Sequence, residues 1–247
     1  MIRIRPKIAA LLAGWLTAAC GPQSGNPPPA ANDTVSRAAP APDTNAIPVD
    51  RGIVLFLGTS LTAGYGVGAD VAFPARIQQK IDSAGLPFRV VNAGISGETS
   101  AGGLARLDWM LEQPIDVLVL ELGANDGLRG YDIAAMRSNL ETILRRTRAQ
   151  YPEAALVVAG MEAPPNLGPR YTTRFRETFR DVARTHDATL IPFLLDGVAA
   201  DPSLNLDDGM HPNERGHEII AGNVWDMLEP VLARRAAAAA VPAGGER

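Results

Sequence analysis

The chain has 247 residues, of which 46% are hydrophobic and 20% charged, a composition typical of a globular protein. Its 23 basic and 27 acidic residues give a formal net charge of −4, and this balance argues against a nucleic-acid partner, which requires a clustered basic face. The single cysteine excludes an internal disulfide. No linker interrupts the middle of the sequence, so we expect one large domain.

The N-terminal residues have the pattern of a secretory signal. Three cations and no acidic residue precede an apolar run from Ile8 to Ala19, which ends in small residues that suit cleavage by a signal peptidase. The run is shorter than the roughly 20 residues that span a bilayer as a helix, and it contains Gly14. Residues 1–19 are therefore predicted to be a signal peptide, and the protein is expected to be exported.

The only cysteine follows this signal directly. The string Leu16-Thr17-Ala18-Ala19-Cys20 resembles the lipobox of bacterial lipoproteins, in which the cysteine is diacylated and becomes the first mature residue. We expect lipidation at Cys20 and a periplasmic lipoprotein tethered to the outer or inner membrane of a Gram-negative bacterium. The alternative is ordinary cleavage near Ala19, which would leave a soluble periplasmic protein with a free thiol.

The segments that flank the central part of the chain lack the residues needed for a core. Residues 20–50 are rich in Pro, Ala, Asn, Ser and Thr, so they are predicted to be the lipid-anchor cysteine followed by a disordered tether. Residues 234–247 are predicted to be a disordered tail, in which the alanine run Ala236–Ala240 is the frayed end of the last helix. The folded domain is therefore expected over residues 51–233.

Within the domain, short aliphatic or β-branched runs alternate with longer segments of helical periodicity. The predicted strands are Ile53–Leu57, Arg89–Asn92, Val117–Leu120, Leu156–Ala159 and Thr189–Ile191. The predicted helices are Pro74–Ala84, Ala101–Glu112, Ile133–Gln150, Tyr171–His186 and Asn213–Leu232. This alternation implies an α/β fold with three α/β/α layers, in which helices cover both faces of a mostly parallel, five-stranded sheet.

Residues with catalytic chemistry follow the predicted strands. Ser60 lies in a glycine turn directly after the first strand, and Asp208 and His211 lie three residues apart in the loop before the last helix. A serine hydroxyl is a weak nucleophile until an adjacent base takes its proton, and an aspartate can hold that base in place. Because parallel strands end at one edge of a sheet, these residues can meet there. The pattern predicts a serine hydrolase.

Four blocks of the sequence resemble those of the SGNH (GDSL-type) hydrolases, a family named for a Ser, a Gly, an Asn and a His. The blocks are Gly58-Thr59-Ser60-Leu61, Gly97, Gly123-Ala124-Asn125-Asp126 and Asp208-Gly209-Met210-His211. The strings Ser60 to Tyr65, Gly102 to Leu107 and Glu121 to Gly130 resemble the arylesterase, acyl-CoA thioesterase I and lysophospholipase branch. The resemblance covers Ile53 to Pro230 and implies a flavodoxin-like fold.

The resemblance implies a role for each matched residue. Ser60 is implied as the nucleophile, His211 as the base that takes its proton, and Asp208 as the acid that fixes the imidazole. The oxyanion of the tetrahedral intermediate is implied to be held by the amides of Ser60 and Gly97 and by the side chain of Asn125.

The match departs from the family signature at one position, where Thr59 replaces the aspartate that precedes the serine. Because successive side chains in the turn point in different directions, we expect Thr59 to shape the loop and not to touch the acyl group. Its hydroxyl can still bond to nearby backbone, although the charge is lost.

Other acidic and histidine residues compete for these roles. Asp207 is a second candidate for the triad acid, and the family spacing favours Asp208. His186 and His217 lie in helical segments and are not expected to act in catalysis. No cluster of His, Cys, Asp and Glu has the spacing of metal ligands, so no metal and no cofactor are expected.

These residues predict an exported serine esterase that forms an acyl-enzyme with aryl, short-to-medium acyl or lysophospholipid esters and has latent thioesterase capacity. The alternatives are a carbohydrate O-acetylesterase and a surface-tethered, non-catalytic binding module on the same fold. The expected partners are a small-molecule or lipid ester and, through Cys20, a membrane; no protein partner is inferred. Five residues at strand ends are expected to contact the acyl group: Leu128, Pro164, Pro165, Leu167 and Tyr171.

Overall fold

The computed structural model describes residues 51–240. The predicted signal peptide, the lipidation site Cys20 and the tether lie outside the described residues, as do positions 241–247 of the predicted tail. Those features stay predictions. No helix in the described part of the chain is long and apolar enough to cross a membrane.

The central sheet confirms the predicted fold class. Its strands begin and end within two residues of the expected positions: β1 Gly52–Gly58, β2 Phe88–Gly94, β3 Val117–Glu121, β4 Ala155–Ala159 and β5 Thr189–Ile191. The strand order is β2-β1-β3-β4-β5, and every neighbouring pair is parallel. This is the order of the flavodoxin-like, doubly wound fold.

Helices connect and follow these strands within residues 51–240. They are α1 Ser60–Ala63, α2 Phe73–Ser83, α3 Ser100–Ala105, α4 Leu107–Met110, α5 Ala124–Leu128, α6 Ile133–Gln150, α7 Pro169–Thr185 and α8 Glu214–Ala240. A short 3-10 turn spans Pro165–Leu167. On one face of the sheet α2 packs against α8, and on the other α6 packs against α3 and α7.

Two helices differ in their bounds from the prediction. The helix expected over Ala101–Glu112 is divided into α3 and α4 at Arg106, whose guanidinium is held by Glu98 and by the carbonyl oxygen of Ala93. The last helix extends past its predicted end at Leu232 to Ala240, through the alanine run that was predicted as its frayed end. Alanine has the highest helix propensity, which favours continuation of α8 through the alanine run.

The core lies between the sheet and its two helical layers. In β1 the residues Val54 to Leu57 are all at most 2% exposed, and every residue of β3 is buried. Burial of both faces explains why these strands are continuous hydrophobic runs and do not alternate with polar residues.

The strand order determines where a ligand can bind. From β1 the chain continues to β2 on one side, whereas β3 pairs with β1 on the other side. Doubly wound sheets bind ligands beyond the carboxyl ends of the strands where the order reverses in this way. Ser60 follows β1 and Asn125 follows β3, so both lie at this topological switch point.

Close packing between β2 and α1 fixes the position of the Ser60 turn. A Cβ added to Gly94, the last residue of β2, would lie 2.3 Å from the backbone nitrogen of Ala63 and 2.7 Å from the carbonyl carbon of Thr62. Only glycine lets the backbone of α1 lie this close to the strand. Gly94 therefore determines how far the helix that begins with Ser60 lies above the sheet.

We expect Gly94→Ala to lower the free energy of unfolding by about 1 to 3 kcal/mol, because the added methyl group overlaps backbone atoms that cannot rotate away. The matched control is Gly222→Ala in the interior of α8, where an added Cβ meets nothing within 4 Å. This control should raise the free energy of unfolding by about 0.5 to 1 kcal/mol. Urea unfolding measures both; similar effects of the two substitutions would contradict the close packing at Gly94.

Candidate active site

The serine turn joins β1 directly to α1. Thr59 is the N-cap of α1, Ser60 is its first residue, and Gly64 ends it in the left-handed conformation with φ 77°. A Cβ at Gly58 would lie 2.0 Å from the hydroxyl of Thr62, so the turn requires a glycine at that position. Ser60 is 9% exposed, and its side chain faces a cavity at the edge of the sheet.

Ser60 is linked to His211 and Asp208 by a chain of hydrogen bonds. Its Oγ lies 3.0 Å from His211 Nε2, and His211 Nδ1 lies 2.6 Å from Asp208 Oδ2. The other oxygen of Asp208 accepts the backbone N–H groups of Met210 and His211, each at 2.9 Å. Asp208, and not Asp207, therefore holds the imidazole.

These hydrogen bonds determine the charge of Asp208 and the tautomer of His211. The backbone N–H of His211, its ring and the N–H of Met210 lower the pKa of Asp208 to about 2. An ionised carboxylate accepts a hydrogen bond from Nδ1, so Nδ1 carries the proton of the neutral imidazole. The lone pair of Nε2 is then directed at the serine hydroxyl. This is the tautomer that a base acting on Ser60 requires.

The loop that carries the Asp–His pair is closed on itself by backbone hydrogen bonds between its two arms. Leu206 N–H donates to the carbonyl of His211 at 2.7 Å, and Asn213 N–H donates to the carbonyl of Leu204 at 2.9 Å. The side chain of Asn213 also accepts the N–H groups of Arg215 and Gly216, so it caps the start of α8. The Asp–His pair thus lies just before a long helix, one face of which is buried.

Three groups that can donate to an oxyanion border the same cavity. Ser60, Gly97 and Asn125 all line it. Within residues 51–240, neither the amide of Ser60 nor that of Gly97 donates to a protein acceptor, which leaves both available to a ligand. Gly97 adopts φ +79°, a left-handed conformation in which glycine is favoured. One hydrogen of the Asn125 amide is used, donating to the carbonyl of Glu98 at 2.9 Å.

Asp126 joins the loops of Gly97 and Asn125, a role that sequence reasoning missed. It is 4% exposed, and its carboxylate accepts the backbone N–H of Ser100 at 2.8 Å and the Ser100 hydroxyl at 2.7 Å. Asn139 of α6 donates to the same hydroxyl at 3.0 Å. These bonds fix the start of α3, which follows the Gly97 loop, against the start of α5.

The cavity beside Ser60 has a volume of about 660 Å³. Of the five residues expected to contact the acyl group, Leu128, Pro164 and Pro165 line it, whereas Leu167 and Tyr171 do not. Tyr171 stacks on Phe175 and donates its hydroxyl to the carbonyl of Tyr131 at 2.8 Å. Its side chain therefore supports the neighbouring helices and does not reach the cavity, and Leu167 lies at the far end of the 3-10 turn.

Further apolar residues of the cavity were not predicted. The ring of Tyr65 lies 4.4 Å from that of His211, and the remaining wall includes Met161, Phe193, Leu195 and Met210. Met161 and Phe193 follow β4 and β5, so their positions at the carboxyl edge could have indicated this role. Tyr65 and Met210 lie in loops, where no periodicity reveals their direction.

Thr59 borders the cavity, but its hydroxyl is turned inward to Glu121. Its N–H donates to Glu121 Oε2 at 2.8 Å, and its hydroxyl lies 3.0 Å from both oxygens of that carboxylate. The hydroxyl also accepts the N–H of Leu61 at 3.4 Å, the local bond that was expected. Sequence reasoning missed Glu121, which is 1% exposed and whose pKa burial raises to about 7.

The other two histidines lie away from the serine. His217 is 1% exposed, its Nδ1 accepts the backbone N–H of Phe73 at 3.2 Å, and its ring stacks on that phenylalanine. Burial, aided by Arg76 and His211, lowers the pKa of His217 to about 4. His186 caps the C-terminus of α7, and burial lowers its pKa as well. Among the described residues no three His, Cys, Asp or Glu side chains are grouped as metal ligands.

The flavodoxin-like sheet and the Asp–His–Ser arrangement at its carboxyl edge are those of a serine hydrolase. Residues 56–219 match the GDSL-like Lipase/Acylhydrolase family, and the chain belongs to this family. The resemblance on which the sequence interpretation depended is therefore confirmed.

Named relatives agree with this assignment. The chain is 39% identical to the Esterase TesA of Pseudomonas aeruginosa over 180 residues, which cover 72% of this chain and 89% of the relative. It is 40% identical over 181 residues to the Escherichia coli protein named Thioesterase 1/protease 1/lysophospholipase L1, with 72% and 84% covered. The crystal structure of the psychrotrophic esterase EstA from Pseudoalteromonas sp., inhibited by monoethylphosphonate, superposes with a TM-score of 0.69 at 34% identity, covering 74% of this chain and 99% of that one. The chain is accordingly an ester hydrolase of the serine type, and not a non-catalytic binding module.

Two buried groups should give the stability opposite dependences on pH. Glu121 binds its proton up to about pH 7 in the folded chain but only up to about 4.5 when unfolded, so its contribution to the free energy of unfolding falls as pH rises through this window. His217 stays neutral down to about pH 4 when folded but is protonated below about 6.5 when unfolded, so its contribution rises with pH. The two slopes oppose each other between about pH 4.5 and 6.5.

We therefore expect Glu121→Gln to make the free energy of unfolding rise with pH between 4.5 and 6.5 relative to the wild type, because the opposing contribution of Glu121 is lost. His217→Asn keeps an acceptor for Phe73 and should tilt the dependence the other way. Each contribution has a limiting slope of about 1.4 kcal/mol per pH unit. Urea unfolding at several pH values measures this, and curves for both variants that run parallel to the wild type would contradict it.

Proposed function

We propose that Ser60, His211 and Asp208 form the catalytic triad of an esterase that works through an acyl-enzyme. The observation that carries the proposal is the unbroken chain of hydrogen bonds from Asp208 through His211 to Ser60 Oγ, which ends at an apolar cavity. A nucleophile, a base and a group that orients the base are the three parts that covalent ester hydrolysis requires.

The first half of the reaction forms the acyl-enzyme. As Ser60 Oγ attacks the ester carbonyl carbon, His211 Nε2 takes the hydroxyl proton and Asp208 stabilises the resulting imidazolium. The carbonyl oxygen becomes an oxyanion, for which the amides of Ser60 and Gly97 and the second amide hydrogen of Asn125 are the donors. When the tetrahedral intermediate collapses, the bond to the leaving oxygen or sulfur breaks and His211 returns the proton to the leaving alcohol or thiol.

The second half releases the acid. Water attacks the acyl carbon and gives a proton to His211 Nε2, and the same donors hold the second oxyanion. Collapse of this intermediate breaks the bond to Ser60 Oγ, which recovers its proton from His211. The serine, the histidine and the aspartate are thereby restored to their starting states.

The cavity supports esters with an apolar acyl group as substrates. Leu128, Pro164, Met161 and Phe193 form apolar parts of its wall close to Ser60, and its volume is that of a small-molecule site. The relatives are named as an esterase and as a thioesterase and lysophospholipase. We infer that aryl, short-to-medium acyl or lysophospholipid esters are the substrates, with thioesters as a further capacity.

The direct test is hydrolysis of p-nitrophenyl esters of about two to sixteen carbons by a soluble chain that begins near Ile47. Turnover should be highest for short to medium acyl groups, and Ser60→Ala should lower kcat by a factor of about 10⁴ or more, because it removes the attacking atom. Asn125→Ala should cost about 10² to 10³, since one oxyanion donor is lost. Turnover that survives Ser60→Ala would exclude the triad.

Substitution of Asp208 and of its neighbour Asp207 tests which aspartate is the triad acid. Asp208→Asn should lower kcat about 10³- to 10⁴-fold, because an amide holds the wrong tautomer of His211, whereas Asp207→Asn should leave it within about twofold. Equal losses in the two variants would contradict the assignment of the acid. An acetylated oligosaccharide assayed beside the p-nitrophenyl series tests the O-acetylesterase alternative, which a preference for the sugar ester would favour.

We further propose that the protein is exported and that its 51–233 domain is tethered through a lipid on Cys20. The signal-like residues 1–19 and the lipobox-like string before Cys20 support this proposal. In a Gram-negative host, palmitate should label the wild-type chain and not Cys20→Ser, because the acyl groups are attached through that sulfur. Immunoblotting of both proteins controls for expression, and equal labelling would remove the lipoprotein proposal.

A further inference from the structure

A single buried carboxylate connects both ends of the turn that carries Ser60. Glu121, the last residue of β3, accepts the N–H and the hydroxyl of Thr59 on one side of the serine. It accepts the hydroxyl of Thr62 at 2.8 Å on the other side. Ser60 and Leu61 lie between these two attachment points, and the serine side chain faces the cavity on the opposite side of the turn.

Both neighbouring strands hold this turn. Glu121 is paired with Gly58 in the register of β1 and β3, so its side chain starts directly beside the turn. From β2, the side chain of Asn92 donates to the carbonyl of Thr62 at 2.8 Å. Thr59 and Thr62 are at most 1% exposed. Without the Glu121 carboxylate, each of these buried hydroxyl groups would lose its acceptor, and water could not replace it.

We propose that Glu121 is a positioning residue for the nucleophile, which sets the direction of the Ser60 hydroxyl and amide by holding Thr59 and Thr62 from beneath the turn. For the oxyanion amide this proposal rests on the proposed function. The carboxylate touches neither substrate nor His211; it acts through the two threonines.

The geometry of Thr59 explains how the effect reaches the reacting atoms. Its ψ of −154° fixes the plane of the peptide that contains the Ser60 N–H, and its N–H and hydroxyl are both bound to Glu121. A change in this ψ would turn the Ser60 amide away from the oxyanion and would move Oγ relative to His211 Nε2. Displacements of about 1 Å at a reacting group can lower a rate about 100-fold.

Thr59 also gives a physical meaning to the departure from the family signature. Its hydroxyl lies 3.0 Å from both oxygens of Glu121, so an aspartate in the same orientation would place two carboxyl groups in contact. Such a pair must share a proton or separate, because two like charges at this distance cannot both ionise in the core. Threonine at position 59 instead donates a hydrogen bond from its hydroxyl to the Glu121 carboxylate.

The experiment compares variants that remove one part of this arrangement at a time. Glu121→Gln replaces the acceptor carboxylate by an isosteric amide. Thr59→Val keeps the shape of the side chain but removes the hydroxyl that donates to Glu121 and accepts the N–H of Leu61. Thr59→Ser restores the donor. The matched control is Thr147→Val on α6, where a buried hydroxyl has no hydrogen-bond partner among the described residues.

Two readouts separate positioning from simple loss of stability. One is kcat and KM for a p-nitrophenyl ester, measured well below the unfolding temperature of each variant. The other is the rate constant for covalent labelling of Ser60 by a fluorophosphonate, which reports the reactivity of the serine itself. Circular dichroism confirms that each variant compared is folded.

For Glu121→Gln and Thr59→Val we expect kcat and the labelling rate to fall about tenfold or more, with KM within about twofold. Thr59→Ser should recover both quantities to within about threefold, and Thr147→Val should leave them unchanged. Folded variants that keep wild-type kcat and labelling rates would overturn the proposal, as would a Thr59→Ser variant as impaired as Thr59→Val. If Glu121→Gln does not fold, Thr59→Val and Thr59→Ser still decide the question.

The labelling assay also separates this proposal from the proposed function. If the wild type hydrolyses none of the esters, the esterase proposal fails. Fluorophosphonate labelling of Ser60, checked against Ser60→Ala, would still show whether Glu121 controls the reactivity of the serine.

Discussion

The parallel pairing of β1 with β3 is the constraint on which the catalytic site depends. It places Gly58 opposite Glu121, so that the turn after β1 and the loop after β3 begin at the same level of the sheet. A shift of one residue would direct Glu121 to the other face and would separate Ser60 from Asn125. Both strands are buried on both faces, so a shifted register would misplace close-packed side chains and would move Glu121 away from Thr59 and Thr62. The relative positions of Ser60 and Asn125 therefore depend on the packing of the core.

Much of the fold and of the site could be predicted because the relevant signals are local in the sequence. The strands are short aliphatic runs with turn residues on either side, which is why their bounds were found to within two residues. Asp208 and His211 bond to each other within one loop, so their spacing alone indicated the pair. Ser60 was indicated by the glycine turn after the first strand and Asn125 by its family block, and parallel topology then required their strand ends to be neighbours.

What could not be predicted depends on contacts between distant segments. Glu121 was a charged residue at the end of a buried strand, and only the register with β1 shows that Thr59 and Thr62 face it. The division of the helix at Arg106 depends on Glu98, eight residues earlier, and on the carbonyl of β2. Tyr171 was expected in the cavity because it follows a strand end, but its stacking on Phe175 turns it away.

The two carboxylates beside Ser60 show how burial can assign different roles to the same chemical group. Asp208 and Glu121 each accept hydrogen bonds from three donors. The donors to Asp208 are two backbone N–H groups and the ring of His211, and the donors to Glu121 are one backbone N–H group and two hydroxyl groups. The Asp208 side chain is 34% exposed, so little desolvation opposes its ionisation and its pKa falls to about 2. Glu121 lies in the core, where desolvation outweighs its three donors and raises its pKa to about 7. An acid that stabilises an imidazolium has to be charged throughout the cycle, and this charge requires access to water or strong hydrogen-bond donors. A residue that only holds a turn in place does not need to be charged. The surface loop and the buried strand therefore supply carboxylates that suit the roles proposed for them, a triad acid and a residue that positions the serine turn.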